Sequence, residues 1–239
     1  MVNVIKRILT IVGFIFLVIF LFLFTTYNLM NSTTFQFFGG LTYHVQTKQK
    51  VVALTFDDGP TIQVDKILPI LKKYNAKATF FLIGKEMEGN LEEAVKIVKA
   101  GHQIGNHSYS HKRMIFKSLS FIKEEIEKTD ELIRAIGYKE EIDFRPPNGK
   151  KILGLPYYLS KHNKDTITWS LEPDTYYTTA SDKVNYVKEN VQPGSIILMH
   201  PMYDKTDEEL EAIEGIVQSL SAEGYRFVTV NELQKFQMK

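Results

Sequence analysis

The chain has 239 residues, of which 44% are hydrophobic and 24% charged, as is typical of a globular protein with one large domain or two small ones. It contains no Cys, which excludes disulfides, thiolate metal sites and Cys nucleophiles, so any metal ligands must be His, Asp or Glu. The net charge of +1 hides an asymmetry, because the first acidic residue is Asp57, and no basic run indicates a nucleic-acid partner.

The N-terminal segment predicts a membrane helix. Residues 8–30 are almost all apolar, and a helix of this length spans about 34 Å, which is enough to cross a bilayer. Lys6 and Arg7 precede it, which favours a cytoplasmic location for the N-terminal residues 1–7. A cleaved signal peptide is the alternative, although the apolar run is long and no Ala-x-Ala-like site follows it. We therefore predict an uncleaved single-pass anchor in the cell membrane, with the remaining chain outside the cytoplasm.

The segment 31–47 is polar and aromatic, and it is predicted to be a stalk that leads into one domain over 48–239. In this domain short apolar runs alternate with amphipathic patterns, which indicates parallel strands with helices outside them. Strands are predicted at 51–54, 78–83, 103–106, 142–144, 166–169, 195–199 and 226–230, and helices at 64–74, 91–99, 118–136, 183–190 and 208–222. About seven such units favour an irregular, closed or nearly closed (β/α) barrel of the α/β class.

Two adjacent carboxylates, Asp57 and Asp58, stand where the first strand of the domain ends. The apolar run 51–54 precedes them, and Gly59-Pro60 ends the strand. The chemistry of α/β barrels collects at the carboxyl ends of strands. Because like charges repel, an ionised pair needs a cation or a proton. One Asp is therefore predicted to bind a metal and the other to act as a base, while an ordinary surface turn is the alternative.

The segment His107–His111 places two imidazoles four residues apart. On a helical turn, residues i and i+4 share a face, so both nitrogens can reach one cation. The segment follows the predicted strand 103–106, which places it at the same edge as Asp58. Exposed or capping histidines are the alternative. With Asp58, the pair predicts a His-His-Asp site that leaves coordination positions open, as catalytic zinc sites do.

Three other segments end at this edge. Arg145 follows a predicted strand and either holds one of the paired carboxylates ionised or belongs to a plain loop. His200 ends an apolar strand, which makes it a candidate acid–base group. An acidic residue at Glu172 or Asp174 could orient it and raise its pKa. Trp169, the only Trp, is either a core residue or a platform for a sugar ring.

Four of these segments together resemble one family, the polysaccharide deacetylases of carbohydrate esterase family 4, also called the NodB-homology domain. The matching segments are Thr55–Pro60, His107–His111, Arg145–Pro147 and Leu198–His200. The resemblance extends from about residue 50 to residue 236, which is most of the chain after the predicted anchor.

The resemblance implies a role for each matching residue. It implies Asp57 as catalytic base, Arg145 as its partner, Asp58, His107 and His111 as ligands of one divalent metal, His200 as general acid, and Leu198 as lining for the acetyl methyl group. The metal is commonly zinc, with cobalt, nickel or manganese as alternatives. Metal-assisted amide hydrolysis follows, with a backbone N–H after Arg145 stabilising the oxyanion. Pro147, Asn148, Trp169 and Leu198 are the predicted substrate-binding residues.

The chain departs from the family pattern at two places. Asn148 stands where the family usually has an aromatic residue, which changes the wall of the substrate groove. The segment after Trp169 lacks the second Trp of the family's fourth motif, so the partner of His200 is less clearly marked. Asp174 is the predicted partner, with Glu172 as the alternative.

These observations predict a membrane-anchored, metal-dependent deacetylase of N-acetylated sugars in an extracellular polysaccharide. Anchorage beside the cell envelope favours peptidoglycan N-acetylglucosamine as the substrate. Poly-N-acetylglucosamine, a chitin-like oligosaccharide or acetylxylan are the alternatives within the same chemistry. A non-catalytic glycan-binding protein on the same fold is the alternative from another class. Such a protein is expected to have lost Asp57, a metal ligand or His200, and none of these is missing.

Overall fold

Within residues 2–238, which the computed structural model describes, the chain forms nine α-helices and seven strands. The helices are α1 (Val2–Asn31), α2 (Val64–Lys73), α3 (Gly84–Gly89), α4 (Leu91–Lys99), α5 (Leu119–Ala135), α6 (Gly154–Lys161), α7 (Ala180–Asn190), α8 (Glu208–Ala222) and α9 (Val230–Gln234). The strands are β1 (Leu41–Thr42), β2 (Val51–Asp57), β3 (Ala78–Leu82), β4 (Gln103–Asn106), β5 (Thr166–Ile167), β6 (Ile196–Met199) and β7 (Arg226–Phe227).

Parallel pairing arranges these strands in a ring. β2 lies between β3 and β6, and β3 pairs with β4. Single bridges continue the ring, because Phe144 pairs with both Asn106 in β4 and Thr166 in β5, and Leu171 pairs with Ile197 in β6. The prediction of an α/β fold built on a parallel, barrel-like sheet is confirmed.

β2 is the central strand, and its composition follows from that position. All seven of its residues are buried, so both faces are covered and the run Val51–Leu54 is continuously apolar instead of alternating. Its last residue is Asp57. The strand therefore delivers a carboxylate to the carboxyl edge of the ring.

The long helices fall where the amphipathic pattern predicts them. α8 buries Leu210, Ile213, Ile216, Val217 and Leu220 on one face, at the three- and four-residue spacing of a helix packed on a sheet. The short helices α3, α6 and α9 are not predicted, since they are too brief to show a period. The strand predicted at 142–144 contributes only its last residue to the sheet, while the unpredicted β1 pairs with β5.

α1 is long and apolar enough to cross a bilayer, and its apolar stretch is not buried against the rest of the protein. A signal sequence has the same length, composition and position in a chain. The segment 31–47, which follows α1, contacts the barrel. It contains β1 and the buried Val45, and the Lys151 ammonium donates a hydrogen bond of 2.5 Å to the Ser32 carbonyl. The domain boundaries remain a prediction, but contact with the barrel is already made at Ser32, directly after α1.

Candidate active site

A cavity of about 270 Å³ opens at the carboxyl edge of the ring. It is lined by Asp57, Asp58, His107, His111, Asn148, Trp169, Glu172 and His200. Seven of these were predicted as site residues from the sequence, and Glu172 entered only as an alternative partner of His200. The predicted residues Arg145, Pro147, Asp174 and Leu198 are not among its lining. Pro147 and Leu198 are both buried.

Arg145 is fully buried beneath the cavity. Its Nη1 donates hydrogen bonds to Asp57 Oδ1 at 2.7 Å and to Thr55 Oγ1 at 2.8 Å, and its Nη2 donates to the Thr168 carbonyl at 3.2 Å. The guanidinium also lies 4.0 Å from the centroid of the Phe81 ring. These contacts fix the guanidinium, and through it the orientation of the Asp57 carboxylate.

The Asp57 carboxylate is almost completely buried, and burial by itself favours its neutral form. The positive charge of Arg145, with a contribution from His200, outweighs burial and holds the pKa of Asp57 below its usual value. Asp57 is therefore ionised at neutral pH, as a general base must be before it accepts a proton.

Asp58 and the two imidazoles converge on one point. Asp58 Oδ1 lies 3.4 Å from His111 Nε2 and 3.9 Å from His107 Nε2. One ligand atom from each residue falls within 4.8 Å of the others. Asp58 Oδ1 is buried, yet it accepts no hydrogen bond from any residue that the structure describes. A buried carboxylate oxygen in this position is suited to a cation.

His107 is prepared to act as a ligand. Its Nδ1 lies 2.8 Å from the Arg145 carbonyl, which can only accept, so Nδ1 carries the proton and the Nε2 lone pair is free. Burial lowers the pKa of His107, despite the opposing charges of Asp57 and Asp58. The imidazole is thus neutral and in the tautomer that metal coordination through Nε2 requires.

The helical turn predicted for the two histidines is wrong, because the segment is a loop. Ser108 and His111 have φ values of 64° and 55°, in the left-handed region that a helix does not use. The Asn106 side chain accepts from the Ser108 N–H, and the Glu125 carboxylate accepts from the backbone N–H and hydroxyl of Ser110. These side chains satisfy backbone groups that a helix would have paired internally, and the loop still brings both imidazoles to Asp58.

His200 is paired with Asp174. Asp174 Oδ2 accepts from the His200 backbone N–H at 2.9 Å and lies 3.2 Å from His200 Nδ1. Burial acts to lower the pKa of His200, but the hydrogen bond to Asp174 and the negative charges of Asp57 and Asp58 raise it to about 9. His200 therefore carries a proton at neutral pH.

Glu172, the alternative partner of His200, instead accepts a hydrogen bond of 2.9 Å from Trp169 Nε1. The Trp169 ring packs closely on the loop after Arg145. A Cβ at Gly149 would lie 3.0 Å from this ring, and Gly149 has a φ of 67° that L side chains rarely adopt. Glycine at this position therefore lets Trp169 form one wall of the cavity.

The sequence analysis missed Lys183 and Glu209. Lys183 in α7 is buried, and its Nζ lies 3.1 Å from Asp174 Oδ1 while it also forms an ion pair with Glu209 in α8. In the sequence both are ordinary charges on amphipathic helices, so no local signal marks them. Taken together, the fold and the cavity define an α/β barrel protein with an acid–base arrangement and a candidate cation site at the carboxyl ends of its strands.

Comparison with known proteins agrees with this description. Residues 44–167 match the family model of the polysaccharide deacetylases. A peptidoglycan-N-acetylglucosamine deacetylase of Bacillus cereus is 31% identical over 202 residues, which cover 83% of this chain and 94% of that protein. A bifunctional xylanase/deacetylase of Pseudobutyrivibrio xylanivorans is 36% identical over 198 residues, which cover 80% of this chain but only 31% of that longer protein.

Solved structures lead to the same family. A peptidoglycan N-acetylglucosamine deacetylase superposes with a TM-score of 0.77 at 31% identity, over 83% of this chain and 95% of that one. A family 4 pseudoenzyme from Bacillus anthracis superposes with a TM-score of 0.74 at 29% identity, over 84% of this chain and 70% of its own. The chain belongs to the polysaccharide deacetylases of carbohydrate esterase family 4, and the predicted membership is confirmed.

Proposed function

We propose that the chain is a metal-dependent hydrolase that removes acetyl groups from N-acetylated sugars of an extracellular polysaccharide, with peptidoglycan N-acetylglucosamine as its leading substrate. The strongest support is the convergence of Asp58, His107 and His111 beside two oriented acid–base pairs in one cavity. Similar proteins named as peptidoglycan deacetylases support the choice of polymer.

The residues present fit a divalent cation. The ligand set is one carboxylate and two imidazoles, and the ligand oxygen of Asp58 is buried without a hydrogen bond from the described residues. Two imidazoles and a carboxylate suit zinc, and cobalt, nickel and manganese accept the same donors. A cation held here supplies the Lewis acidity that polarises an acetyl carbonyl and activates water.

Two residues of the chain move protons. Asp57, kept ionised by Arg145, is placed to remove a proton from the water that attacks the acetyl carbon. His200, protonated through its contact with Asp174, is placed to donate a proton to the sugar nitrogen as the C–N bond breaks. Protonation is required because a free amide anion is too basic to leave.

The loop after Arg145 contributes backbone to the site. Two prolines follow Arg145 and carry no N–H, so the first backbone donor of the loop is Asn148, which lines the cavity. We assign the Asn148 N–H to the oxyanion that forms on the acetyl group. A backbone donor does not depend on the side chain, so the exchange of the family's usual aromatic residue for Asn148 leaves this role intact.

The location of the enzyme is part of the proposal. α1 anchors the chain in the cell membrane, with Lys6 and Arg7 on the cytoplasmic side and the barrel outside. The barrel then stands beside the cell wall, where peptidoglycan is the abundant acetylated amino-sugar polymer.

Two alternative functions are considered for the same site, a different substrate and a non-catalytic role. The similarity to a xylanase/deacetylase favours acetylxylan as a second candidate substrate, since O- and N-deacetylation use the same catalytic groups. The similar pseudoenzyme favours a glycan-binding protein without activity. Against the second alternative, Asp57, His200 and all three candidate ligands are present in one cavity.

The deciding experiment measures free-amine release from purified peptidoglycan by the full chain in detergent. Chelator treatment is expected to abolish release, and the Asp57→Asn variant is expected to lower it by a factor of about 10²–10⁴. Added zinc is expected to restore release only in the chelated protein. Amine release that persists through both controls would exclude this mechanism. If the chain releases nothing from any acetylated glycan but still binds peptidoglycan, the glycan-binding alternative is established. If it releases acetate from acetylxylan alone, the acetylxylan alternative is established.

A further inference from the structure

A second cavity, of about 310 Å³, lies directly beside the catalytic one. The two cavities share Asn148, Trp169 and Glu172 as lining residues, so they adjoin each other, and together they are called the groove below. The far wall of the second cavity includes Tyr176 and Tyr186, whose ring centroids are 5.5 Å apart. Aromatic faces, amide groups and a carboxylate are the groups that bind the apolar faces and hydroxyls of a sugar ring.

The remaining wall is formed by the residues that leave α1. Asn31, the last residue of α1, and Thr33 both line the second cavity. They are held there by the barrel, because Lys150 Nζ donates to Asn31 Oδ1 and Thr168 Oγ1 donates to the Thr33 carbonyl at 2.5 Å. Lys150 and Thr168 belong to the loops that carry Asn148 and Trp169. The exit of the anchor is therefore part of the groove.

The length of α1 places this wall at the membrane surface. A bilayer hydrocarbon core takes about 20 helical residues, so a span that starts at Ile8 ends near Tyr27. Asn31 follows four residues later, roughly 6 Å along the helix axis, which is about the depth of one headgroup layer. Three exposed aromatic side chains, Phe35, Phe37 and Phe38, come immediately afterwards. Exposed Phe side chains beside a membrane span favour insertion at the boundary between headgroups and acyl chains.

We propose that the second cavity binds the neighbouring sugar of the substrate, and that its juxtamembrane wall selects acetylated glycan attached to the membrane over glycan away from it. This inference rests on the proposed deacetylase function and names the substrate class of that site. The chain allows no spacer between bilayer and groove, so a glycan strand in the groove lies against the lipid headgroups. Glycan tethered in the same bilayer reaches the groove at a high effective concentration.

The experiment uses the full chain in lipid vesicles and three substrates. A small acetyl ester, 4-nitrophenyl acetate, reports the catalytic cavity alone, a soluble β-linked N-acetylglucosamine pentamer reports the groove, and the same pentamer on a dialkyl lipid reports the membrane-bound class. One variant carries a Gly/Ser spacer of about 20 residues between Asn28 and Leu29, which separates barrel and bilayer by roughly 25 Å. The matched control carries the same spacer between Asn3 and Val4, on the other side of the anchor.

The spacer at Asn28 is expected to leave ester and soluble-pentamer rates unchanged and to lower kcat/KM for the lipid-linked pentamer by about tenfold. The control spacer is expected to change none of the three rates. A second variant, Thr33→Phe, fills the cavity and is expected to lower the soluble-pentamer rate while the ester rate is retained.

A lipid-linked rate that survives the spacer at Asn28, or a pentamer rate that survives Thr33→Phe, overturns the inference. Failure of the proposed function is a separate result, since the unmodified chain would then release no amine from the soluble pentamer.

Discussion

Lys183 Nζ lies 3.1 Å from Asp174 Oδ1, and the other oxygen of the same carboxylate lies 3.2 Å from His200 Nδ1. Asp174 thus stands between a buried ammonium and the proposed general acid. Lys183 is paired in turn with Glu209, so a chain of alternating charges runs from α8 to the catalytic cavity. We assign Lys183 and Glu209 as positioning residues, because they act on His200 only through Asp174.

The Asp174→Asn variant is expected to move the alkaline limb of the pH–rate profile to lower pH. As the proposed general acid, His200 is active below its pKa, which is about 9 in the folded protein. The neutral amide removes the charge of Asp174 and weakens the hydrogen bond that is the largest cause raising this pKa, while Asp57, Asp58 and Glu172 still face the imidazole. The limb then moves towards the ordinary His value of about 6.5. kcat measured against pH checks this, and an unmoved limb would show that His200 is not the acid.

The Lys183–Glu209 pair gives a prediction about stability. Lys183→Met leaves the partly buried carboxylates of Glu209 and Asp174 without this buried cation. Loss of one partner from a fully buried pair costs about 3–5 kcal/mol, which is the upper bound for this change. The double variant Lys183→Met with Glu209→Gln removes part of the uncompensated charge, so it is expected to unfold at a lower denaturant concentration than wild type but a higher one than Lys183→Met alone. Urea titrations of the variants measure the difference, and strictly additive losses would exclude coupling between the two residues.

The Arg145→Met variant is expected to move the acid limb of the profile to higher pH. As the proposed general base, Asp57 is active above its pKa, and Arg145 is the largest of the charges that lower this pKa. Without it, burial dominates and the pKa rises. The matched control is Lys164→Met, which removes a partly exposed cation that pairs with Asp130, away from the described cavity lining. Its acid limb is expected to stay in place.

Metal content separates the proposed ligands from the proposed base. Asp58→Ala and His111→Ala each remove one ligand, and the purified variants are expected to retain much less zinc than wild type. Asp57→Asn removes the base but no ligand, so it is expected to keep full zinc content while activity falls by a factor of about 10²–10⁴. Measurement of zinc by elemental analysis, together with the rate of amine release, distinguishes the ligand variants from the base variant. Loss of zinc in Asp57→Asn would reassign Asp57 as a ligand.

Protease treatment of intact cells or protoplasts tests the proposed topology. The barrel is expected to be released from the membrane by external protease, because it stands outside the cytoplasm in this orientation. A tag at the N-terminus, before Lys6, is expected to stay protected. Complete protection of the barrel would place it in the cytoplasm and contradict both the location and the polymer that it implies.

The sequence predicts the fold and the site most reliably where a residue ends an apolar strand. Asp57 is the last residue of β2, His107 follows β4 and His200 follows β6, so strand ends alone place these three at one edge. The loop conformation of 107–111 does not follow from spacing, because Glu125 and Asn106, which support it, lie elsewhere in the chain or in the preceding strand.

Lys183, Glu209 and the wall formed by Asn31 and Thr33 could not be predicted. Each depends on packing between distant parts of the chain, where α7 meets α8 and where the exit of α1 meets the loops after Phe144 and β5. Periodicity and turn residues in the local sequence predict helices, strands and turns, but they do not predict contacts between distant segments. The segment 31–47 is polar and aromatic whether it forms a free stalk or part of the groove.

The closure of the ring between β5 and β6 has a consequence for inactivation by heat. Here the sheet continues through Ser170 and Leu171. Their backbone bonds to β6 are from the Ser170 and Leu171 N–H groups to the Ile196 carbonyl, at 3.0 and 3.2 Å, and from the Leu198 N–H to the Leu171 carbonyl at 2.9 Å. Asp174 follows three residues after Leu171. A local opening of this short seam would draw Asp174 away from His200 while β2, β3 and β4 remain paired. We therefore expect moderate warming to cause a reversible loss of deacetylase activity through local opening of this segment, at temperatures where most of the barrel is still folded.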